Sequence, residues 1–294
     1  SEIFPMLVLI LAFTAAAGRQ RGSPGGQLQA ALHEQTVSDE RAIEAVLATA
    51  NCSHVYFDMG ANIGVQIRKL HEAHLYPGAP AVRLFHQSFG PEPHCNVCSI
   101  GIEPNPMHAG RLSELKRHYS RVGVGVVILM AAVSDADGVA LLSGFNRTDS
   151  WIRRHGGHLQ VAATVVEPGS ASDGSTVVRT VDLARLVHAV DRALVRMHGP
   201  RDTANTKIVI KMDIEGAEHR VLPHLLHTHA MCLINRVYME WHGTFMKSWF
   251  LDALMNQRHC ESGHSKVLYK DFVATRNDDE TYRTDGKPWP ASLC

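Results

Sequence analysis

A glycine-rich turn directly after a short apolar run is the feature that most constrains this sequence. The run from Val55 to Phe57 predicts a buried strand, and the pattern Asp-x-Gly-x-Asn-x-Gly follows it at residues 58–64. Glycine tolerates positive φ and has no Cβ, so this turn lets the backbone approach a ligand closely. The turn lacks the GxGxxG pattern, which disfavours a pyrophosphate ligand. We expect a strand, a sharp turn and a helix, with a ligand at the turn.

Short apolar runs alternate with helical patterns along most of the chain. Val124 to Val133 is a long β-branched run that predicts a central strand, and residues 176–198 predict a strand followed by a helix. Residues 77–93 are punctuated by proline and glycine, which predicts a loop. Strands that alternate with helices at this spacing are typical of an α/β fold with a doubly wound, mostly parallel sheet and helices on both faces.

Four of the predicted strands end in an acidic residue. These residues are Asp58, Glu103, Asp213 and Glu240. In a doubly wound sheet, ligands bind beyond the carboxyl ends of the strands, where the strand order reverses. One acid alone could simply cap the helix that follows. Four acids at the same edge of the sheet predict a polar binding site there.

Glu103 follows the second predicted strand, where a carboxylate can accept hydrogen bonds from both hydroxyls of a ribose. We therefore expect a nucleoside cofactor that carries no 2′-phosphate. Asn105 stands between Pro104 and Pro106 in a rigid turn. Its side chain either lines the same cofactor pocket or serves only to form the turn.

Four sequence blocks resemble the FkbM family of methyltransferases in order and spacing. The blocks are DMGANIG at residues 58–64, IEPNP at 102–106, AAVSD at 131–135 and KMDIEGAE at 211–218. The similarity covers roughly residues 55 to 245. It implies a Rossmann-like class I methyltransferase fold and the cofactor S-adenosyl-L-methionine.

The resemblance also implies which residues contact that cofactor. The expected contacts are Asp58, Gly60, Asn62 and Gly64 around the methionine part, Glu103 at the ribose, and Ala132 with Val133 at the adenine. The family typically methylates hydroxyl groups of sugars and natural products, which implies O-methyl transfer.

Methyl transfer to a hydroxyl requires positioning of the acceptor oxygen and a base that removes its proton. The candidate bases lie at or just after the ends of neighbouring predicted strands: Asp213, Glu215, Glu240 and His242. Asp213 could instead cap the next helix, and Glu215 falls in what resembles the first turn of that helix.

The N-terminal region carries signs of secretion. The apolar stretch from Ile3 to Ala17 ends in small residues, which predicts a signal peptide or a short signal anchor at residues 1–18. Glycosylation sequons begin at Asn51 and Asn146, and the 6 cysteines form an even set compatible with disulfides. We expect the secretory pathway, either the Golgi lumen or the cell exterior, with organellar import as the alternative. Any membrane attachment would involve only the N-terminal segment.

The remaining chain divides into a linker and one domain. Residues 19–38 are rich in Gly, Gln, Ser and Arg and predict a linker or stem. Residues 39–294 predict a single domain, with a polar insertion at about 144–174 and a C-terminal extension.

Charge and cysteine spacing limit the classes of ligand that we expect. The formal net charge is zero, which does not favour nucleic acid as a partner. The CxxC pattern at residues 95–98 has no second half, so we expect no metal.

We expect an O-methyltransferase that acts on a hydroxyl of a glycan or another small hydroxylated molecule. The alternative is a catalytically inactive, cofactor-binding recognition module. A nicotinamide oxidoreductase is disfavoured by the absent GxGxxG.

Overall fold

A parallel β-sheet forms the centre of the molecule. The computed structural model describes residues 24–91, 94–142, 161–162, 176–200, 205–240, 260, 272–274 and 288–293. The helices are α1 (Pro24–Thr49), α2 (Val65–His71), α3 (Pro80–Phe89), α4 (Ala109–Arg121), α5 (Leu183–His198) and α6 (Glu218–His227). The strands are β1 (His54–Met59), β2 (Val97–Ile102), β3 (Val126–Leu129), β4 (Ala132–Ser134), β5 (Gly138–Leu142), β6 (Val161–Ala162), β7 (Thr176–Asp182), β8 (Lys207–Met212), β9 (Arg236–Met239) and β10 (Phe272–Ala274).

Six of the described strands form the main sheet in the order β10-β9-β8-β1-β2-β3. All five neighbouring pairs run parallel. The chain first builds outward from β1 through β2 to β3, and later from β8 on the other side of β1 through β9 to β10. The strand order therefore reverses between β1 and β8, and a doubly wound sheet binds its ligands at this position.

Helices cover both faces of this sheet. Alternate residues of a strand point to opposite faces, so Val55, Phe57 and Met59 join a hydrophobic cluster with α1, α5 and α6. Tyr56 joins a second cluster with α2, α3 and α4 on the other face. The predicted α/β architecture, a mostly parallel sheet with helices on both faces, is confirmed.

The run from Val124 to Val133 does not form one central strand, which corrects the expectation from its β-branched sequence. Its first part is β3, at the end of the main sheet as described, and its last part is β4. Between them, the N–H of Ala131 donates to the carbonyls of Glu103 and Leu129, both at 3.0 Å. This turn carries the chain out of the main sheet.

A second, smaller sheet begins at β4. Its described strands have the order β4-β7-β5-β6, with β4 parallel to β7 and β5 antiparallel to both of its neighbours. The strand and helix expected at residues 176–198 are β7 and α5. Asp182 connects them, since its side chain accepts a hydrogen bond from the backbone N–H of Arg185 at 3.2 Å. The small sheet lies beside the acidic edge through β4.

Two helices differ from the sequence-based expectation. Residues 24–38, predicted as linker, form the largely exposed first part of α1. Its later part is held by ion pairs, including Asp39 with Arg179 at 2.6 Å. Residues 80–89, predicted as loop, form α3, because Pro80 takes the first position of the helix and Ala81 and Phe85 share a buried face. Pro80 starts a helix here, whereas the sequence pattern predicts that it interrupts one.

Most of the predicted insertion at 144–174 and much of the C-terminal extension lie outside the described residues. No helix in the described part of the chain is long and apolar enough to cross a membrane. The predicted leader at residues 1–18 also falls outside that part.

Disulfides connect elements of the fold. Cys52, just before β1, is bonded to Cys98 in β2, and Cys232 is bonded to Cys260. Cys95 is also disulfide-bonded. The first bond joins the segment just before β1 to the neighbouring strand β2, at the end of the main sheet opposite the acidic edge.

A buried charge network ties the end of the chain to α2. Arg68 is fully buried and donates to Glu72 from Nε and Nη2, both at 2.8 Å. The Tyr119 hydroxyl donates to the same carboxylate at 2.5 Å, and Arg68 also donates to the carbonyl of Pro288 at 2.9 Å. The guanidinium lies 4.7 Å from the centre of the Trp289 ring. This network thus fixes α2, the helix after the glycine turn, against the C-terminal segment.

This network predicts unequal costs for removing two arginines. We expect Arg68→Met to lower the free energy of unfolding by about 3–5 kcal/mol, because Glu72 would remain buried without its cation. Arg196→Met breaks the exposed pair with Glu44 and should cost less than about 1 kcal/mol. Urea unfolding followed by circular dichroism measures both values. Equal effects of the two substitutions would contradict this account of Arg68.

Candidate functional site

The loop from Gly60 to Gly64 lies between the ends of two neighbouring strands. The N–H groups of Gly60 and Ala61 donate to the carbonyl of Ile102, at 3.0 and 3.1 Å. On the other side, the N–H of Asp213 donates to the carbonyl of Met59 at 3.1 Å. The turn after β1 is therefore fixed to the ends of both β2 and β8, at the point where the strand order reverses.

Close packing within the protein requires glycine in this loop. A Cβ at Gly60, where φ is +76°, would lie 2.0 Å from the carbonyl oxygen of Asp213. A Cβ at Gly64, where φ is +84°, would lie 2.4 Å from Cδ1 of Leu115. Asn62 also has a positive φ, of 51°. The sequence suggested that glycine lets a ligand approach this loop closely. In the structure, the atoms that exclude a side chain at Gly60 and Gly64 belong to the protein itself.

Glu103 joins this loop to the segment after β2. It is only 3% exposed. Its Oε2 accepts a hydrogen bond from the N–H of Asn62, and its Oε1 accepts one from the N–H of Asn105, both at 2.8 Å. A carboxylate oxygen can accept two hydrogen bonds. Glu103 can therefore hold both loops and still accept hydrogen bonds from a ligand.

Two other expected contact regions lie beside Glu103. The Asn105 side chain accepts a hydrogen bond from the N–H of Met107 at 3.0 Å and so caps the turn that precedes α4. This is the turn-forming role that the sequence left open. Ala132 and Val133 begin β4 and are buried. The N–H of Ala131, the residue just before this apolar pair, donates to the carbonyl of Glu103, so the pair lies close to Glu103.

Asp58 is a deeply buried acid at the site. It is 0% exposed, and its Oδ2 has no hydrogen-bond partner among the described residues. The Tyr56 hydroxyl lies 3.5 Å from Oδ1. Burial raises the pKa of Asp58 from 3.8 to about 7, against the opposing effect of the Lys211 ammonium and with a further increase from the nearby Asp213 carboxylate. The site therefore contains a buried carboxyl that titrates near neutral pH.

Lys211 connects Asp58 with the acid that follows β8. Lys211 lies opposite Asp58 in the register of β8 and β1. Its Nζ is 2.9 Å from Oδ2 of Asp213, and both side chains are largely buried. Sequence reasoning did not identify Lys211. A lysine between two apolar residues near the end of a buried strand, two residues before an acid and on the same face, is the signal that could have found it.

The structure brings three of the four candidate bases to the same edge. Asp213 and Glu215 follow β8, and Glu240 follows β9, where its N–H donates to the Met212 carbonyl at 3.0 Å. Glu215 has a positive φ of 54°. Glu218, the next acid, is buried and accepts a hydrogen bond from the N–H of Ile214 at 3.1 Å, so it stabilises this turn. His242 lies outside the described residues.

The buried His71 belongs to the core beside the sheet. The described part of the chain holds no group of three or more His, Cys, Asp or Glu side chains suited to a metal ion. His71 is buried beside Ser99, with 2.9 Å between Nε2 and Oγ. Burial lowers the pKa of His71 to about 3, so this imidazole is neutral at physiological pH.

Comparisons with known proteins give one structural similarity. No protein-family model and no curated protein sequence matches the chain. The chain is similar to the crystal structure of the methyltransferase FkbM from Methylobacillus flagellatus KT, with 15% identity and a TM-score of 0.31. The similarity covers 60% of this chain and 30% of the FkbM chain.

The raised pKa of Asp58 predicts how stability changes with pH. Between pH 4 and 7 the folded protein retains a proton on Asp58 that the unfolded chain has lost, so this carboxyl destabilises the fold increasingly as pH rises. Relative to Asp58→Asn, the unfolding free energy of the wild type should fall by up to about 1.4 kcal/mol per pH unit in this window.

Urea unfolding of both proteins at several pH values from 4 to 8 measures that difference, and other titrating groups cancel in it. A difference that stays constant with pH would show that Asp58 keeps its usual pKa in the fold.

Proposed function

We propose that this protein is an S-adenosylmethionine-dependent methyltransferase that acts on a hydroxyl of a glycan or another small hydroxylated molecule. The observation that carries the proposal is Asp58, a buried carboxylate with one oxygen unpartnered among the described residues, at the strand-order reversal of a parallel sheet. An unsatisfied buried acid is costly to the fold. A cationic ligand group that binds there would offset the cost.

The chemistry of the neighbouring residues suits this cofactor. Asp58 offers an acceptor for the cofactor's ammonium group, and Glu103 has acceptor capacity left for the ribose hydroxyls. The buried, apolar pair of Ala132 and Val133 suits an adenine ring. When bound, the cofactor supplies an electrophilic methyl group on a sulfonium sulfur.

Asp213 is the best-supported base among the candidates. Lys211 holds one oxygen of its carboxylate at 2.9 Å, which fixes the orientation of the side chain. In the proposed reaction this carboxylate accepts the proton of the acceptor hydroxyl. Glu215 and Glu240 lie on the same edge and remain alternative bases. A positioned base of this kind contributes about 10²- to 10⁴-fold to a rate.

Binding of S-adenosylhomocysteine, measured by isothermal titration calorimetry at pH 8, tests the cofactor assignment. We expect Asp58→Asn and Glu103→Gln each to weaken binding about ten- to hundredfold, since each removes hydrogen bonds to a charged group. Asp137→Asn, which alters an ion pair with Arg185 at the small sheet, is the matched control and should bind like the wild type. A folded wild-type protein with no affinity would overturn the proposal.

Transfer itself is measured with cofactor that carries a labelled methyl group and a panel of free sugars and glycans. Label should appear on an acceptor with the wild type and be strongly reduced with Asp213→Asn. Cofactor binding without labelling of any hydroxylated acceptor would favour the alternative function, a catalytically inactive recognition module.

We further propose that the protein works in the secretory pathway. Two disulfides and a bonded Cys95 are compatible with an oxidising compartment. Asn51, which begins the first sequon, is exposed in the turn after α1. The second sequon, at Asn146, lies outside the described residues.

Glycosylation tests this location. When the chain is expressed in cells with its own N-terminal segment, treatment of the product with peptide N-glycosidase should increase its electrophoretic mobility. Asn51→Gln should reduce that change, because the exposed turn makes Asn51 accessible to glycosylation. Asn96→Gln, which alters an asparagine outside any sequon, should leave it unchanged. A protein whose mobility the enzyme does not alter would contradict a secretory location.

A further inference from the structure

Two cations lie side by side at the amino-terminal edge of the main sheet. Lys207 begins β8 and Arg236 begins the neighbouring strand β9, and both residues are half-buried. Arg236 lies opposite Val209, two residues after Lys207, so both cations are on the same face of the sheet. Strand β8 has 6 residues, which at about 3.3 Å per residue places this edge roughly 17 Å from the acidic edge.

The end of helix α3 brings both cations to one residue. The Lys207 Nζ donates to the carbonyl of Ser88 at 2.6 Å, and the Arg236 Nη1 donates to the hydroxyl of Ser88 at 3.3 Å. The Ser88 hydroxyl is also hydrogen-bonded to the Tyr238 hydroxyl, which donates to the carbonyl of Leu84 at 2.6 Å. The oxygen atoms that accept from the two cations are therefore neutral.

The described chain does not balance these two charges. Neither Lys207 nor Arg236 forms an ion pair with a described carboxylate, whereas the half-buried Arg179 and Arg185 each pair with carboxylates. Burial, and after it the charge of Arg236, lowers the pKa of Lys207. His54, opposite Lys207 on β1, is neutral at physiological pH, because burial and then the Lys207 charge lower its pKa to about 4. The two cations thus repel each other at this edge.

Capping of α3 accounts for only part of this arrangement. A cation near the last turn of a helix complements the negative end of the helix dipole, and Lys207 does so at the Ser88 carbonyl. Arg236 contacts the side chain of Ser88 and not its carbonyl, so the helix end does not explain the second cation. An ammonium has three N–H donors and a guanidinium has five. Both groups therefore have donor capacity left for a ligand.

The pair complements an oxyanion with two negative charges. A guanidinium presents paired N–H donors that match two oxygens of a phosphate or sulfate group, and an ammonium binds a further oxygen as a compact charge. Two negative charges would balance the two cations, whereas a neutral ligand would leave their repulsion in place.

We propose that Lys207 and Arg236 form a binding site for a phosphate or sulfate group at the amino-terminal edge of the main sheet. The group belongs either to a free inorganic ion or to an ester on a small ligand such as a sugar. This site is separate from the acidic edge, and it stands or falls independently of the proposed methyltransferase function.

Isothermal titration calorimetry with the full-length protein in a chloride buffer tests the site. We expect the wild type to bind sodium sulfate or sodium phosphate with a Kd of about 1 mM or lower. Lys207→Met and Arg236→Met should each weaken this binding about tenfold or more, because each removes a charge-assisted hydrogen bond. Arg236→Lys keeps the charge and loses the paired donors, so it should weaken binding less than Arg236→Met.

Matched variants separate local binding from a general effect of charge. Lys116→Met and Arg121→Met each remove one exposed cation from α4 and should bind both anions like the wild type. Circular dichroism establishes that each variant is folded. If either methionine variant at the site fails to fold, Arg236→Lys and Lys207→Gln provide the comparison.

The outcomes are distinct. A wild-type protein that binds neither anion up to about 10 mM would overturn the proposal and leave the two cations a purely structural role. Binding that is unchanged in the Lys207 and Arg236 variants would also overturn it. Glucose 6-phosphate, compared with inorganic phosphate, identifies the source of the group: tighter binding of the ester supports a sugar-borne group, and tighter binding of the ion supports a free anion.

Discussion

The fixed position of the loop after β1 is the constraint on which the rest of the site depends. Its backbone bonds to the end of β2 through Ile102 and adjoins the end of β8 at Asp213, where no Cβ fits at Gly60. The Glu103 carboxylate then bonds to Asn62 within the loop. Because three segments share these contacts, a shift in any one of them would move the others. The loop can therefore present a preformed site.

Buried charge is concentrated at this edge of the sheet. Asp58, Lys211 and Asp213 alternate in sign, and Lys69 adds a second cation from α2. Desolvation of these charged groups destabilises the fold. The raised pKa of Asp58 shows that the nearby cations only partly offset the desolvation of its carboxylate. A buried acid that burial disfavours is typical of a functional site, where a ligand completes the set of charges. Arg68, by contrast, is fully bonded and serves to fix α2.

Much of the fold could be predicted because its main elements have strong local signals. Alternation of apolar runs and helical patterns indicated the doubly wound sheet, and the acids at the strand ends indicated a polar edge. The predictions that were wrong concern where individual elements lie. Val124 to Val133 divides between two sheets because the turn at Ala131 depends on bonds to distant residues. Helix α3 was missed because proline both starts and breaks helices.

The sequence by itself determined the class of fold and which acids end the strands, since periodicity and turn residues act over a few neighbouring positions. Only the tertiary structure decided what each acid does. Glu103 bonds two loops, Asp58 is buried with one oxygen open within the described chain, and Asp213 is paired with Lys211. These roles were not visible in the sequence, because burial and hydrogen-bond satisfaction depend on residues far apart in the chain.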